Sequence, residues 1–270
     1  MNTIAVLMTC FNRKDKTLKS LESLFGQNIE VDVFLVDDGC TDGTKEAVAD
    51  RFPQVNIIQG TGNLFWNRGM RSAWETATRT KDYDYYLWLN DDTYLFKNAL
   101  ENIFSVFHTI GKTDVLVCAS LQSSTSKEMT YGGLGKNGLL TPNGTPQECL
   151  TMNGNCVLIP RSVYQKTGNL DVVFRHAIGD LDYGYRARKG GTEIYTTTCF
   201  VGTCEKNHTL PKWCLKEIPL LIRIKMLYSP LGYAMPTIFF IYEKRHFGLL
   251  VAIKHFITIH IRLFFPILWK

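Results

Sequence analysis

The 270-residue sequence has no CxxC pair, no internal repeat, no low-complexity tract and no long, unbroken apolar run. Its eight cysteines (positions 10, 40, 118, 149, 156, 199, 204 and 214) are scattered without regular spacing, and several lie in apolar segments. That pattern fits reduced thiols in a cytosolic protein rather than a disulfide framework. Cys199, Cys204, His208 and Cys214 follow no standard zinc frame. The longest charge-free stretch, Met226–Tyr242, has 17 residues and contains Pro230, Gly232 and Pro236. It sits at the lower length limit for a spanning helix and is interrupted. Met1–Met8 carries neither a basic leader nor a cleavage site, so no signal peptide is expected.

Strong charge of one sign is also missing. The net charge of +5 is concentrated in residues 212–270, which hold nine Lys/Arg and two acids. The preceding residues, with 21 basic and 23 acidic groups, are close to neutral. This argues against nucleic acid as a partner of the body and leaves a cationic tail that needs its own explanation.

What the chain does have is alternation. Short apolar runs (4–8, 31–36, 55–58, 85–89 and 115–119) alternate with stretches of helical periodicity (around Leu18–Phe25, Lys45–Arg51, Met70–Ala77 and Leu95–Ile110). Such alternation predicts an α/β fold with a doubly wound, Rossmann-like and mostly parallel central sheet flanked by helices. The pattern then breaks. Residues 123–146 are polar and rich in turn signals, 151–160 read as a strand, 161–167 as a helix, and 179–191 as a helix opened by acids and closed by bases.

The run Tyr85–Leu89 drives straight into Asn90-Asp91-Asp92. Open α/β sheets place ligands at the carboxyl ends of their strands. Hard oxygen donors there suit Mg²⁺ or Mn²⁺ bridging nucleotide phosphates, and the alternative is a solvated turn capping the next helix.

Three segments resemble, in the same order, family 2 glycosyltransferases of the GT-A fold: Val36-Asp-Asp-Gly-Cys-Thr-Asp-Gly-Thr44, Asn90-Asp91-Asp92, and Gly179-Asp-Leu-Asp-Tyr-Gly-Tyr-Arg186. Gly62-Asn-Leu-Phe-Trp-Asn-Arg-Gly-Met70, between the first two, is similar to a segment of bacterial rhamnosyltransferase-like enzymes. The resemblance covers roughly residues 3–205. It implies a catalytic domain over 1–211, with a nucleotide-sugar half (1–120) and an acceptor half (121–211). It also implies that Thr9, Phe11, Arg13 and Asp37 or Asp38 hold the donor nucleoside, the alternative for the two acids being turn and helix capping. By the same resemblance Asp92 binds the metal and Asp91 supports the donor. Asp180 is the base that deprotonates the acceptor hydroxyl, and Asp182 stands behind it with the substrate-binding set. Asn153 and Gly154 line the acceptor side, and His208 reaches the metal or diphosphate. Trp66 stacks on base or sugar and Arg68 binds phosphate, unless they are a core Trp and a surface Arg. Two departures stand out: Asn90 where the family often has Asp, and Gly179 where it has Glu.

From Leu215 onward apolar and basic residues mix, which predicts amphipathic helices over 212–270 lying on an anionic membrane surface. A helical subdomain or homodimer interface is the alternative. The combined expectation is an inverting, metal-dependent hexosyl or rhamnosyl transferase at the cytoplasmic side of a bacterial inner membrane. It would move sugar from a UDP- or dTDP-sugar to a lipid-linked or cell-surface glycan acceptor. A sugar-nucleotidyltransferase and a non-catalytic scaffold of a glycan assembly complex are the competing readings. The former is disfavoured because Thr-Cys-Phe-Asn-Arg (9–13) stands where such an enzyme needs a Gly-rich phosphate loop.

Overall fold

The computed structural model describes residues 2–206, 211–232 and 235–269. In chain order the first half runs β1 (Ile4–Cys10), α1 (Lys14–Phe25), β2 (Asp32–Asp37), α2 (Thr44–Arg51), β3 (Asn56–Gln59), α3 (Phe65–Thr80) and β4 (Tyr85–Leu89). The strands stack side by side as β3-β2-β1-β4, all parallel. β1 is buried along its whole length, and its period of two divides it between two cores. Ile4, Val6 and Met8 face Leu21 and Leu24 of α1 and Val48 of α2. Ala5 and Leu7 face Met70, Ala73, Trp74 and Ala77 of α3.

The second half runs β5 (Tyr94–Leu95), α4 (Ala99–Ile110), β6 (Leu116–Gln122), β7 (Met129–Tyr131), β8 (Gly133–Gly135), β9 (Gly138–Leu139), β10 (Thr151–Met152), β11 (Cys156–Pro160), α5 (Arg161–Thr167), α6 (Gly179–Lys189) and β12 (Ile194–Thr203). The sheet is mixed from here on. β11 inserts between β4 and β6, antiparallel to both, while β12 runs parallel to β6. The single strand expected over 151–160 is two. Asn153-Gly154-Asn155 separates β10, which joins a small sheet with β8 and β9, from β11 in the main sheet. The helix expected from Leu95 starts at Ala99, because Tyr94 and Leu95 pair with the end of β12. β12 escaped the sequence analysis, although its Thr, Tyr, Phe and Val content has strand character.

The tail forms a short 3-10 turn (Lys212–Cys214), α7 (Leu220–Leu227), α8 (Pro236–Phe247) and α9 (Leu249–Phe264). Trp213, Cys214, Leu227, Ile259 and Leu263 make its own small core. A second cluster ties it to the rest of the chain: Tyr242 of α8 packs with Phe174 and Ile178, just ahead of α6. Among the described residues no helix is long and apolar enough to cross a membrane.

Between α3 and the sheet, Trp74 is fully buried against Tyr164, Tyr86, Trp88 and Tyr183, with ring centroids 4.8 to 5.6 Å away. Trp74→Ala leaves a cavity that no neighbour can fill and should destabilise the fold by about 3–5 kcal/mol, read from urea denaturation.

Candidate active site

The carboxyl ends of β1, β2 and β4 meet at one edge of the sheet. Two loops are knitted together there: Asn12 Oδ1 accepts from the Thr41 amide (2.7 Å), and Asp42 Oδ2 accepts from the Lys14 amide (3.0 Å) at the start of α1. Phe11 is left 54% exposed on this surface, free to stack on a planar ring, beside the nearly buried Thr9. Asp37 Oδ1 accepts from the Cys40 amide (2.8 Å), and its other oxygen takes a long bond from Gln59 Nε2 (3.3 Å).

Asp38 does something else. Its oxygens accept the amides of Gly62, Leu64 and Phe65, each at 2.9 Å, so its charge is spent on the first turn of α3. At Asp38 these bonds match the capping alternative, while Asp37 closes its own turn on Cys40.

The Asn90-Asp91-Asp92 turn is fixed from three sides. Ser20 of α1, buried, donates to the carbonyls of Asn90 (3.1 Å) and Thr93 (2.8 Å). The Asn90 amide donates to Asn155 O (2.9 Å), and Asn90 Oδ1 accepts the Trp66 indole N–H (2.7 Å). Arg13 Nη1 reaches both carboxylates, at 3.2 Å to Asp91 and 2.9 Å to Asp92. Burial nevertheless pushes the Asp91 carboxyl up to about 7, with Arg13 opposing and Asp92 adding to the shift. The Cys204 thiol donates to Asp92 Oδ1 at 3.6 Å; burial and the Asp92 charge push it up to about 12, so it stays neutral.

Asp180 lies against the 153–155 segment. Its Oδ2 accepts the Gly154 amide (2.8 Å) and its Oδ1 the Leu181 amide (2.9 Å). Burial raises its pKa, and these backbone donors hold it back. Asn153-Gly154-Asn155 thus touches Asp180 at Gly154 and the Asn90 turn at Asn155, drawing both acidic groups around one short segment. Gly154 has no room for a side chain, since a Cβ there would meet the Trp66 ring at 2.5 Å.

The segment around Trp66 explains itself structurally. Trp66 packs edge-to-face on Trp88 (5.9 Å) while holding Asn90, so it positions the acidic turn instead of stacking on a ligand. Arg68 Nε donates to Val172 O (2.9 Å), an anchor for the 171–178 segment. Asn67, singled out by nothing in the sequence, holds that segment from inside: Nδ2 donates to the carbonyls of Asp171 (2.8 Å) and Phe174 (2.9 Å). Asn67 also explains Gly179, because a Cβ at 179 would collide with its side-chain oxygen. Asp182 has no exposed surface; Arg186, Arg245 and His246 surround it. It is a buried ionic hub behind Asp180, as a structural role requires, with no surface of its own for a substrate. Asn153 Oδ1 accepts the Gly132 amide (3.3 Å), which fastens the small sheet to the acceptor side. His208 lies outside the described residues.

Two further features were missed. His176 is partly buried beside Arg13; burial first, then that guanidinium, lowers its pKa, so it is a neutral imidazole with Nδ1 unpartnered. Its only sequence signal was a place four residues ahead of Asp180. Cys10, Asp37 and Cys40 bring ligand-type atoms within 4.8 Å of one another. Thiols suit soft ions, so this cluster is distinct from a Mg²⁺ or Mn²⁺ site. For such a hard ion the fitting donors are Asp92 and Asp91, the latter buried with less positive charge around it than its ionisation requires.

A mixed sheet flanked by helices, with carboxylates gathered at its edge, defines a nucleotide-binding α/β enzyme fold of the GT-A class. The family profile described as Glycosyl transferase family 2 matches residues 5–168, more than half of the chain, and the chain belongs to that family. No curated protein sequence matches it. Among solved structures it is similar to TarS of S. aureus, with a TM-score of 0.55 and 15% identity over 91% of this chain and 44% of that one. It is equally similar to TarS 1–349, of which it covers 72%, with a TM-score of 0.55 alone and 0.56 in complex with UDP. At that identity the likeness shows the fold, and the chain spans less than half the length of the full TarS chain.

The raised Asp91 pKa fixes the sign of a pH effect. A carboxyl raised in the folded state stabilises the fold at acid pH, and that contribution fades as pH rises from about 4 through about 7. Thermal melts should therefore show Asp91→Asn flattening the loss of stability between pH 5 and pH 8. An unchanged pH dependence in Asp91→Asn would rule this out.

Proposed function

We propose that the chain is an inverting, metal-dependent transferase that moves a sugar from a UDP- or dTDP-sugar to a hydroxyl of a lipid-linked or surface-glycan acceptor. The observation that carries it is the shared segment 153–155, which bonds Asp180 through the Gly154 amide and the Asn90-Asp91-Asp92 turn through Asn155 O. Inverting displacement needs those two opposed demands met at one centre: a base on the attacking hydroxyl and positive charge on the departing diphosphate.

In this reading the nucleoside lies on the loops after β1 and β2, with Phe11 against the base and Asp37 accepting from an imide N–H or ribose hydroxyls. The UDP-bound TarS structure, of the same fold, supports a uridine nucleotide over a guanine one. Asp92 and Asp91 would hold Mg²⁺ or Mn²⁺, which when bound neutralises charge on the nucleoside diphosphate leaving group. Arg13, 46% exposed at the side chain, remains available to swing from the two carboxylates to a phosphate oxygen. Asp180 takes the proton of the acceptor hydroxyl as the new C–O bond forms. Burial raises its pKa, which increases its affinity for that proton.

The tail supports a peripheral membrane position at the cytoplasmic face. Leu249, Leu250, Ile253, Ile257, Ile261 and Phe264 form an exposed apolar stripe along α9, with Leu250 82% exposed. Lys254 and Arg262 lie on the same helix, as an anionic surface favours. Such a position would bring a lipid-linked acceptor to the Asp180 side.

Calorimetry with UDP, dTDP and GDP, each with Mn²⁺ or EDTA, should give metal-dependent binding of one uracil or thymine nucleotide. Failure of all three in folded protein would favour a scaffold. Asp180→Asn should lose about 10²- to 10⁴-fold in turnover while its nucleotide affinity stays within about twofold. Equal losses in both would remove Asp180 as base. Leu250→Glu with Ile257→Glu should abolish co-sedimentation with anionic vesicles without changing soluble donor hydrolysis. Retained binding would point to a protein interface.

A further inference from the structure

The residue just ahead of the proposed base is strained. Ile178 has φ 76° and ψ −19°, the left-handed region that a β-branched side chain strongly disfavours. Such a conformation persists only where the surroundings over-determine it. Here α3 supplies one wall, with the Asn67 amide donating to Arg175 O (3.0 Å) and its side chain to Asp171 O and Phe174 O. The other wall comes from the tail. Tyr242, Ile238 and Phe239 of α8 pack on Phe174 and Ile178.

The ionic part of that wall is more specific. Arg245 of α8 donates through Nη2 to Asp171 Oδ2 (2.8 Å) and through Nη1 to Asp182 Oδ1 (2.7 Å). Its planar fork therefore spans both ends of the segment that carries Ile178, Gly179 and Asp180. His246 Nε2–H donates to the same Asp182 oxygen (2.8 Å), and Lys189 of α6 returns a bond to Arg245 O (2.7 Å). The Asp182 amide closes the first turn of α6 on Ile178 O (2.9 Å). The charged and titratable groups on Asp182 are thus Arg186 of α6 and Arg245 and His246 of α8, with Tyr242 of α8 close by.

We propose that Arg245 and His246 are positioning residues for the Asp180 carboxylate, so that the tail sets the geometry of the proton acceptor instead of serving only as an attachment. This rests on reading Asp180 as the base. Neither residue touches a substrate in that role. They act through Asp171, Asp182 and the strained turn, and displacements of about 1 Å there can cost about a hundredfold in rate.

The test compares Arg245→Ala, Arg245→Lys and the milder Asp171→Asn with wild type, in full-length protein. Four quantities are read: turnover, donor KM, UDP affinity and amide hydrogen exchange over residues 178–184. Arg245→Ala should lower kcat about 10- to 100-fold with donor KM and UDP affinity within about twofold, and should speed exchange in that segment alone. Its acid limb of kcat against pH should move up, because the buried Asp182 charge, then balanced by the Arg186 guanidinium alone, favours the proton on Asp180 more than in wild type. Arg245→Lys keeps the charge but not the fork, so it should restore the acid limb while leaving kcat low. Asp171→Asn, which loses only the outer contact, should lower kcat by a smaller factor; it stands in if Arg245→Ala fails to fold. Wild-type kcat and exchange in these variants, or parallel loss of UDP binding and turnover, would overturn the proposal. If Asp180→Asn itself turns over like wild type, the base assignment fails, and the exchange result alone then decides whether α8 holds the turn.

Discussion

Taking carboxylates out of water is the constraint around which this structure is arranged. An ionised acid loses several kcal/mol or more of solvation on burial unless donors replace the water. The fold meets that demand differently at each acid. Asp38 receives three backbone amides and becomes part of the loop it closes. Asp182 receives two guanidinium groups and an imidazole, and disappears into the junction with α8. Asp180 receives two amides, enough to hold it in place and too few to cancel its burial. Among the described residues Asp91 is the least provided for, with the edge of the Arg13 guanidinium as its donor and Lys16 acting from further off. The residual need for positive charge or a proton is thus concentrated at Asp91 and Asp180, the two places where the proposed chemistry would use it.

That gradation also marks what could be read from the sequence. The four parallel strands and the acids at their carboxyl ends follow from apolar runs that stop at charged residues, a local signal. The family resemblance added order to those signals, and the family assignment agrees with it. Roles within an acid pair were not legible, because Asp37 and Asp38, or Asp180 and Asp182, differ only in which donors the tertiary structure brings to them. The strand over 151–160 was legible, but not its break, because Asn153-Gly154-Asn155 is flanked by strand sequence at both ends. The segment around Trp66 was recognised, yet its residues turned out to be supports. Trp66 holds Asn90, Arg68 and Asn67 hold the 171–178 segment, and all three partners are distant in sequence.

The departure at position 179 shows how one such support reshapes the site. A longer residue there would project into the space filled by the Asn67 side chain, whose amide nitrogen already holds two carbonyls of the segment leading to Asp180. Asn67 Oδ1 is itself buried without a hydrogen-bond partner. Among the described residues the chain thus leaves that oxygen unsatisfied and keeps a glycine at the start of α6, which holds the segment leading to Asp180, the proposed base, rigid. A second carboxylate at 179 would add like charge beside Asp180 and raise its proton affinity further. With one carboxylate the positioning falls to the backbone of Gly154 and to the walls of the strained turn at Ile178. One of those walls belongs to α8, so residues 236–247, which looked in sequence like part of a separable tail, are built into the segment that leads to α6 and Asp180.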